Sequence, residues 1–312
     1  DIRTDALGSL MVFQRGRHPG GLPLMLCAHM DEVGLIVKGI TDEGYLKFGC
    51  VGGIDRRVLP GRRVSVGPGK RPGVVGLKAY HLVDKEEEKK VPKVEDMYID
   101  VGAGDRAEAE AFVFLGDVCA FVSPPEDFGD GFLKAKAIDD RFGCACLLRR
   151  LRDKRPAADT WTVFTAQEEV GTRGAFGAAF GLAPRAAVIV EATTAADRPD
   201  LPGHKQVCRP GAGVVIPTAD RGAFYSPRLR RIAIEQAERL GIPWQDKEFV
   251  SGGTDAAAIQ TSRGGVETLG LAIATRYLHS PATLACTADF EHAYRVFDAV
   301  ADVLDREGEK HA

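Results

Sequence analysis

LPLMLCAHMDEVGLIVKGI, residues 22–40, decides how the chain is organised. Two short apolar runs, LPLMLCAHM and VGLIVKGI, read as buried strands parted by a polar point at Asp31 and Glu32. The first run ends on His29, and Asp31 lies two positions on, on the same side if the strand continues. A carboxylate at that spacing can accept the proton of one imidazole nitrogen and leave the other nitrogen for a metal. Taken singly, His29 reads as a satisfied structural histidine, and the surrounding chain must decide.

Beyond this stretch the texture changes. From about Thr41 to Pro125, short strand-like pieces (YLKF, RRVSV, GVVGLKAY, MYIDV, VCAFV) alternate with Gly/Pro turns such as VGPGKRPG, and helical pattern is scarce apart from GDRAEAEAF. This predicts a small all-β domain over 41–125, a barrel or PDZ-like unit, with KEEEKK at 85–90 as an exposed loop. After FVSPPEDFGDG the chain turns α/β. DDRFGCACLLRRLRD has helical spacing, with Asp139 or Asp140 placed to cap it, and TWTVFTA and AAVIVE read as strands. A Gly/Ala-rich helix near 173–180, SPRLRRIAIEQAERLG closed by Gly241, TDAAAIQ and ADFEHAYRVFDAVADVL supply helices; WQDKEFV and VETLGLAI supply strands. Helices alternating with apolar strands predict a mixed or largely parallel sheet covered on both faces. The catalytic domain is therefore expected to be discontinuous, over 1–40 and 126–312.

Bulk properties narrow the partners. Lys plus Arg number 41 against 44 Asp plus Glu, a net charge of −3, which gives no electrostatic reason to expect nucleic acid or a membrane surface. No run of about 20 uninterrupted apolar residues exists, and DIRTDALGSL lacks the pattern of a signal peptide. The chain starts without Met and runs almost at once into strand-like SLMVF, so some native residues before Asp1 are expected. The seven cysteines are odd in number and scattered, with no CxxC pair, which predicts buried reduced thiols in a cytoplasmic protein.

Ligand-type residues collect where predicted buried strands and one helix begin or end: His29, Asp31, Asp139, Asp140, Glu168, Glu169, Glu191 and His279. In an open α/β sheet those ends are where ligands bind. Each residue alone has an ordinary reading as a cap, a solvated charge or a core histidine. Together, two histidines and several carboxylates suit divalent ions bound through imidazole and oxygen without thiolate. The adjacent Glu168 and Glu169 can then supply a ligand and a proton acceptor, because neighbouring strand residues point in different directions.

AHMDEVG, AIDDRFG, TAQEEVGTRGA, EATTAADRPD, SGGTDAAAIQ and TRYLHSP, in this order, resemble the co-catalytic metallo-aminopeptidases of peptidase family M42, the tetrahedral and glutamyl aminopeptidases. Some members of that family were once described as endoglucanases. The resemblance spans nearly the whole chain and implies a zinc-exopeptidase-like sheet with a β-rich insertion after the first motif. It implies that Asp139 bridges two divalent ions, zinc or cobalt with manganese tolerated. His29 and Glu191 would complete one site, and Glu169 and His279 the other. Glu168 would be the general base and Asp31 would orient His29. It further implies small peptide substrates and a homo-oligomer built from dimers, up to a dodecamer.

One position departs from the pattern: family members usually carry aspartate where this chain has Glu191, and glutamate there is commoner in carboxypeptidases and dipeptidases of the wider clan. An aminopeptidase is the leading expectation. A carboxypeptidase, dipeptidase or deacylating metallohydrolase is the alternative within the clan. A glycosidase fits less well, since it needs two carboxyls about 5–9.5 Å apart and no metal pair. An assembly subunit without activity is disfavoured because every ligand-type position is held by a competent residue.

Overall fold

The computed structural model describes residues 1–309. The chain enters through strands β1 (Ile2–Thr4), β2 (Leu10–Gln14) and β3 (Leu24–His29). It next forms β4 (Gly34–Ile40), β5 (Leu46–Val51), β6 (Arg63–Val66) and β7 (Arg71–Gly76), helix α1 (Lys85–Glu88), β8 (Tyr98–Asp100), helix α2 (Arg106–Glu110) and β9 (Val118–Phe121). It continues with β10 (Glu126–Asp127), β11 (Phe132–Ala135), α3 (Ile138–Asp153), β12 (Thr160–Thr165), α4 (Arg173–Leu182) and β13 (Ala186–Thr194). The last elements are β14 (Val214–Val215), α5 (Pro227–Arg239), β15 (Trp244–Gln245), α6 (Ala256–Gln260), β16 (Glu267–Arg276), β17 (Thr283–Cys286) and α7 (Thr287–Glu309).

Two compact units result. The first comprises Asp1–Asp31, Pro125–Leu278 and the chain from Thr283 onward; the second comprises Glu32–Pro124 with His279–Ala282. The first holds a mixed sheet in the order β1-β2-β12-β3-β13-β16-β17-β11-β10, with β14 and β15 attached beside β16. Its four central strands, β12, β3, β13 and β16, are mutually parallel. Parallel strands buried on both faces need side chains that are apolar in both directions, and β3 and β13 are buried along almost their entire length. Period-2 alternation sorts them: Leu24, Leu26 and Ala28 pack with residues of α3, α5 and α7, whereas Met25 and Cys27 pack with α4 and α6.

The second unit is a closed six-stranded antiparallel barrel, β4-β5-β8-β7-β6-β9, filled by Leu35, Val37, Leu46, Val64, Val66, Ile99 and Phe121 among others. Closure leaves no free sheet edge. β4 belongs to this barrel: it pairs along its length with β5, and Leu35 and Ile36 face Cys119 and Val118 of β9. The unit thus begins at Glu32, where sequence texture put the boundary after residue 40. Both strands of the opening stretch are apolar, so only their partners could assign them to different sheets.

Smaller differences have local causes. KEEEKK is exposed but includes the helical turn α1, because Asp84 and Glu87 form a reciprocal capping box. WQDKEFV reduces to the two-residue β15. Among the described residues, no helix is long and apolar enough to cross a membrane.

Candidate metal centre

The parallel strands open at their carboxyl ends. β12 and β13 flank β3 on opposite sides, so the chain's crossovers leave β3 in opposite directions, which creates a crevice beyond its end. Pairing between β3 and β13 stops at Cys27 and Ile189, two residues before His29 and Glu191. Both side chains continue the odd-numbered face of their strands into this gap, and both are buried. On the other side Thr165, the last residue of β12, still pairs with His29.

His29 Nε2 lies 2.9 Å from Asp139 Oδ1 and 3.7 Å from Glu191 Oε2. Two groups of potential ligand atoms share this imidazole: His29 with Asp139 and Glu169, and His29 with Asp140 and Glu191. Asp139 and Asp140 precede the regular part of α3 and have non-helical backbone angles. The Asp140 carboxylate accepts the Gly143 N–H at 2.9 Å and the His29 backbone N–H at 3.3 Å, so it does cap the helix, but from a fully buried position. Gly143 is required here: a Cβ would sit 2.4 Å from Asp140 Oδ2 and 2.6 Å from the Val190 carbonyl oxygen. Neither group contains His279, which falls within the barrel unit, with Nδ1 2.9 Å from the carbonyl oxygen of Gly53.

Asp31 meets both His29 and the two glutamates. His29 Nδ1 is nearer to the Asp31 carbonyl oxygen, at 3.1 Å, than to its carboxylate, at 3.6 Å, so the backbone carries the orienting hydrogen bond. The carboxylate also accepts the backbone N–H groups of Glu168 and Glu169, each at 3.1 Å. Asp31 therefore links the end of β3 to the two adjacent glutamates. The segment that carries these glutamates is also anchored by Gly174, whose N–H donates to the Ala166 carbonyl oxygen at 3.0 Å; a Cβ there would meet that oxygen at 2.4 Å.

The electrostatics are those of crowded acids. Burial lifts the carboxyls of Asp140 and Glu191 well above their usual range; Asp139 adds to the rise at Asp140, and Asp140 adds to it at Glu191. Burial likewise pushes Glu168 to about 8, with Asp255, Glu169 and Asp139 adding to the rise and His29 opposing it. Burial disfavours the charged form of His29, yet Glu191, Asp139 and Asp31 outweigh it and hold the imidazole well above its usual value. Asp31 also feels burial, but His29 and the two backbone N–H groups prevail and lower it. One oxygen of buried Glu191, Oε1, has no hydrogen-bond partner. Uncompensated buried carboxylates are costly, and cations held by the same oxygens remove that cost. The donor set, imidazole and carboxylate, suits divalent ions. Nearby thiols do not compete: Cys144 donates to the His29 carbonyl oxygen at 3.1 Å and burial pushes it to about 12.

A family model described as M42 glutamyl aminopeptidase matches residues 8–296. The chain belongs to peptidase family M42. The chain is similar to a lysyl aminopeptidase of Pyrococcus furiosus, 32% identical over 311 residues, covering 97% of this chain and 87% of that protein. Among solved structures, a TET aminopeptidase from the marine sediment archaeon Thaumarchaeota archaeon SCGC AB-539-E09 matches with a TM-score of 0.93 at 33% identity, over 100% of this chain and 89% of that one. The Pyrococcus horikoshii TET1 peptidase, described as assembling into a tetrahedron or a large octahedral shell, matches with a TM-score of 0.85 at 35% identity, over 96% and 89% of the two chains. The M42 chain described here is a metal-dependent aminopeptidase, a peptide-bond hydrolase with a possible metal-binding group at His29. The sequence marks Asp140 as a ligand-type residue or a cap, and Asp255 only as an acid before a short helix. The paired acids of AIDDRFG and the single acid of SGGTDAAAIQ are the available signal, but burial, which separates a site acid from a surface cap, is not written in the motif.

Proposed function

We propose that the chain releases N-terminal residues from peptides using two divalent ions, zinc or cobalt, that share Asp139. His29 and Glu191 complete one ion's ligands. Glu169 belongs to the other, and His279 is assigned to it on the TRYLHSP motif alone. When bound, the ions supply Lewis acidity to the scissile carbonyl and make a coordinated water more acidic. Glu168 takes the proton of the attacking water and returns it to the leaving amine. Asp31 fixes where Glu168 and Glu169 stand by accepting both of their N–H groups. The reading is carried by one observation: Glu169 groups with His29 and Asp139, whereas its neighbour Glu168 lies in neither ligand group while interacting with the same acids.

The test separates the two glutamates. Glu168→Gln is expected to keep its metal and lose turnover, and Glu169→Gln to lose metal. Near-normal hydrolysis of an aminoacyl chromogenic substrate by fully loaded Glu168→Gln rejects the base assignment. The same substrates in N-blocked form probe the Glu191 departure, since an aminopeptidase leaves them intact.

We further propose that the chain forms homo-oligomers and works in the cytoplasm. Supporting the first are the TET1 match and the exposed apolar side chains Val74, Phe114, Leu115, Val118 and Val122 of the barrel unit. Supporting the second are seven cysteines with no disulfide.

A further inference from the structure

A fully buried acid close to the site, Asp255, stands outside both ligand groups. Asp255 precedes α6 and is fully buried, yet it makes no side-chain capping bond to that helix; the Thr254 hydroxyl accepts the Ala256 N–H instead, at 3.2 Å. Its Oδ2 accepts a short hydrogen bond from the Thr165 hydroxyl and a longer one, 3.7 Å, from the Cys27 thiol. Its Oδ1 has no hydrogen-bond partner. Both donors sit at strand ends that carry the site. Thr165 closes β12, lies opposite His29 in the strand register, and is three residues before Glu168. Its carbonyl accepts the Met30 N–H at 2.8 Å, and its hydroxyl also lies 3.3 Å from the Ala28 carbonyl oxygen. Cys27 is two residues before His29 on the same face of β3.

A half-satisfied buried carboxyl is a poor way to stabilise a core, because desolvation costs more than one or two bonds return. Here every bond it makes goes to the two strands whose ends hold His29 and the glutamate pair. The negative charge of Asp255 is also felt at Glu168, where it is among the causes of the raised carboxyl.

We propose that Asp255 is a positioning residue for the hydrolysis: through Thr165 and Cys27 it clamps the ends of β3 and β12, so that Glu168 stands at a fixed distance from the ions' ligands. The inference rests on Glu168 being the base. Misplacing a reacting group by about 1 Å costs on the order of a hundredfold in rate, so loosening this clamp acts on kcat while leaving the ligand atoms themselves in place.

The experiment uses the full chain loaded with divalent metal and an aminoacyl chromogenic substrate. Asp255→Ala and Thr165→Val are each expected to lower kcat by about tenfold or more, with KM and bound metal per chain close to the parent. The double variant falls no further than Asp255→Ala alone, because the Thr165–Asp255 bond that Thr165→Val removes is already lost in Asp255→Ala. Asp255→Asn, which can still accept from the Thr165 hydroxyl, recovers much of the loss. Parental kcat in Asp255→Ala, loss that merely tracks bound metal, multiplying losses in the double variant, or no recovery in Asp255→Asn each overturn the proposal. Should Asp255→Ala fail to fold, Thr165→Val carries the decision, and parental kcat there overturns it. Glu168→Gln is measured alongside: an active Glu168→Gln removes the base reading, whereas an inactive one beside normal Asp255 and Thr165 variants removes only the clamp.

Discussion

Glu168 keeps its proton far beyond the ordinary carboxyl value of 4.5, at about 8 in the metal-free site, because it is buried among other acids. The sign for stability follows directly. Between those two values the unfolded chain has released this proton and the folded chain has not, so the folded state binds more protons and stability falls as pH rises. His29, Asp140 and Glu191, all raised, act in the same direction. Metal-free protein should therefore melt at a progressively lower temperature from pH 5 to pH 8. Added zinc or cobalt should restore more at pH 8 than at pH 5, since metal binding displaces these protons; thermal melts with and without metal at both pH values check it. For catalysis Glu168 must be ionised. Bound cations favour its charged form, so the acid limb of kcat/KM should lie above 4.5 and below about 8. A limb at the ordinary carboxyl value speaks against a buried base.

Elements hold these residues by close backbone approach and buried ion pairs. Gly174→Ala would drive a Cβ into the Ala166 carbonyl and the Ser9 hydroxyl, at 2.4 and 2.5 Å, and push the Glu168–Glu169 segment away from Asp31. The expected outcome is a loss of about 1–3 kcal/mol in urea melts together with a larger fall in kcat. A variant that loses stability but keeps kcat would show that the segment's position does not depend on this contact. Further from the site, Arg150 of α3 is buried and donates to both Asp298 and Asp302 of α7, reaching Asp302 Oδ1 at 2.9 Å. Arg150→Ala removes the buried partner of two acids that Lys154 still reaches, Asp302 Oδ2 at 3.0 Å and Asp298 Oδ2 at 3.4 Å, and should cost about 1.5–3 kcal/mol, while kcat of the folded fraction stays near the parent value. The helix and strand types were readable from periodicity. WQDKEFV reads as a strand too, but its two-residue extent is set by its partner β14, not by its own pattern.

For the molecule as a whole, activity should vanish on exhaustive chelation and return on adding back a divalent ion, with the fold retained throughout. Chelator-insensitive release of sugar from a cellulose oligomer would be the signature of a glycosidase and would count against this reading. The oligomer proposal predicts a single species much larger than the 33.5 kDa chain in sedimentation. Charged replacements at Phe114 and Leu115, both exposed on the barrel unit, should shift it towards the monomer.

Residue types, their order and their spacing on strand ends were enough to indicate an α/β metal-site protein, because hydrophobic period and ligand chemistry are local properties of the chain. Glu168 and Glu169 could be given different tasks from chemistry alone, since adjacent side chains diverge. What the tertiary structure decided were matters of partner and burial. β4 joins the barrel because β5 and β9 pair with it. The Asp31 carboxylate serves the two glutamates more than His29, because their N–H groups are closer to it than the imidazole is. Asp255 stands out only once it is seen buried, with one oxygen unmatched, behind both strand ends. Hydrogen-bond partners and desolvation depend on residues far apart in sequence, 137 positions for Asp31 and Glu168 and 90 for Thr165 and Asp255, and no local pattern encodes them.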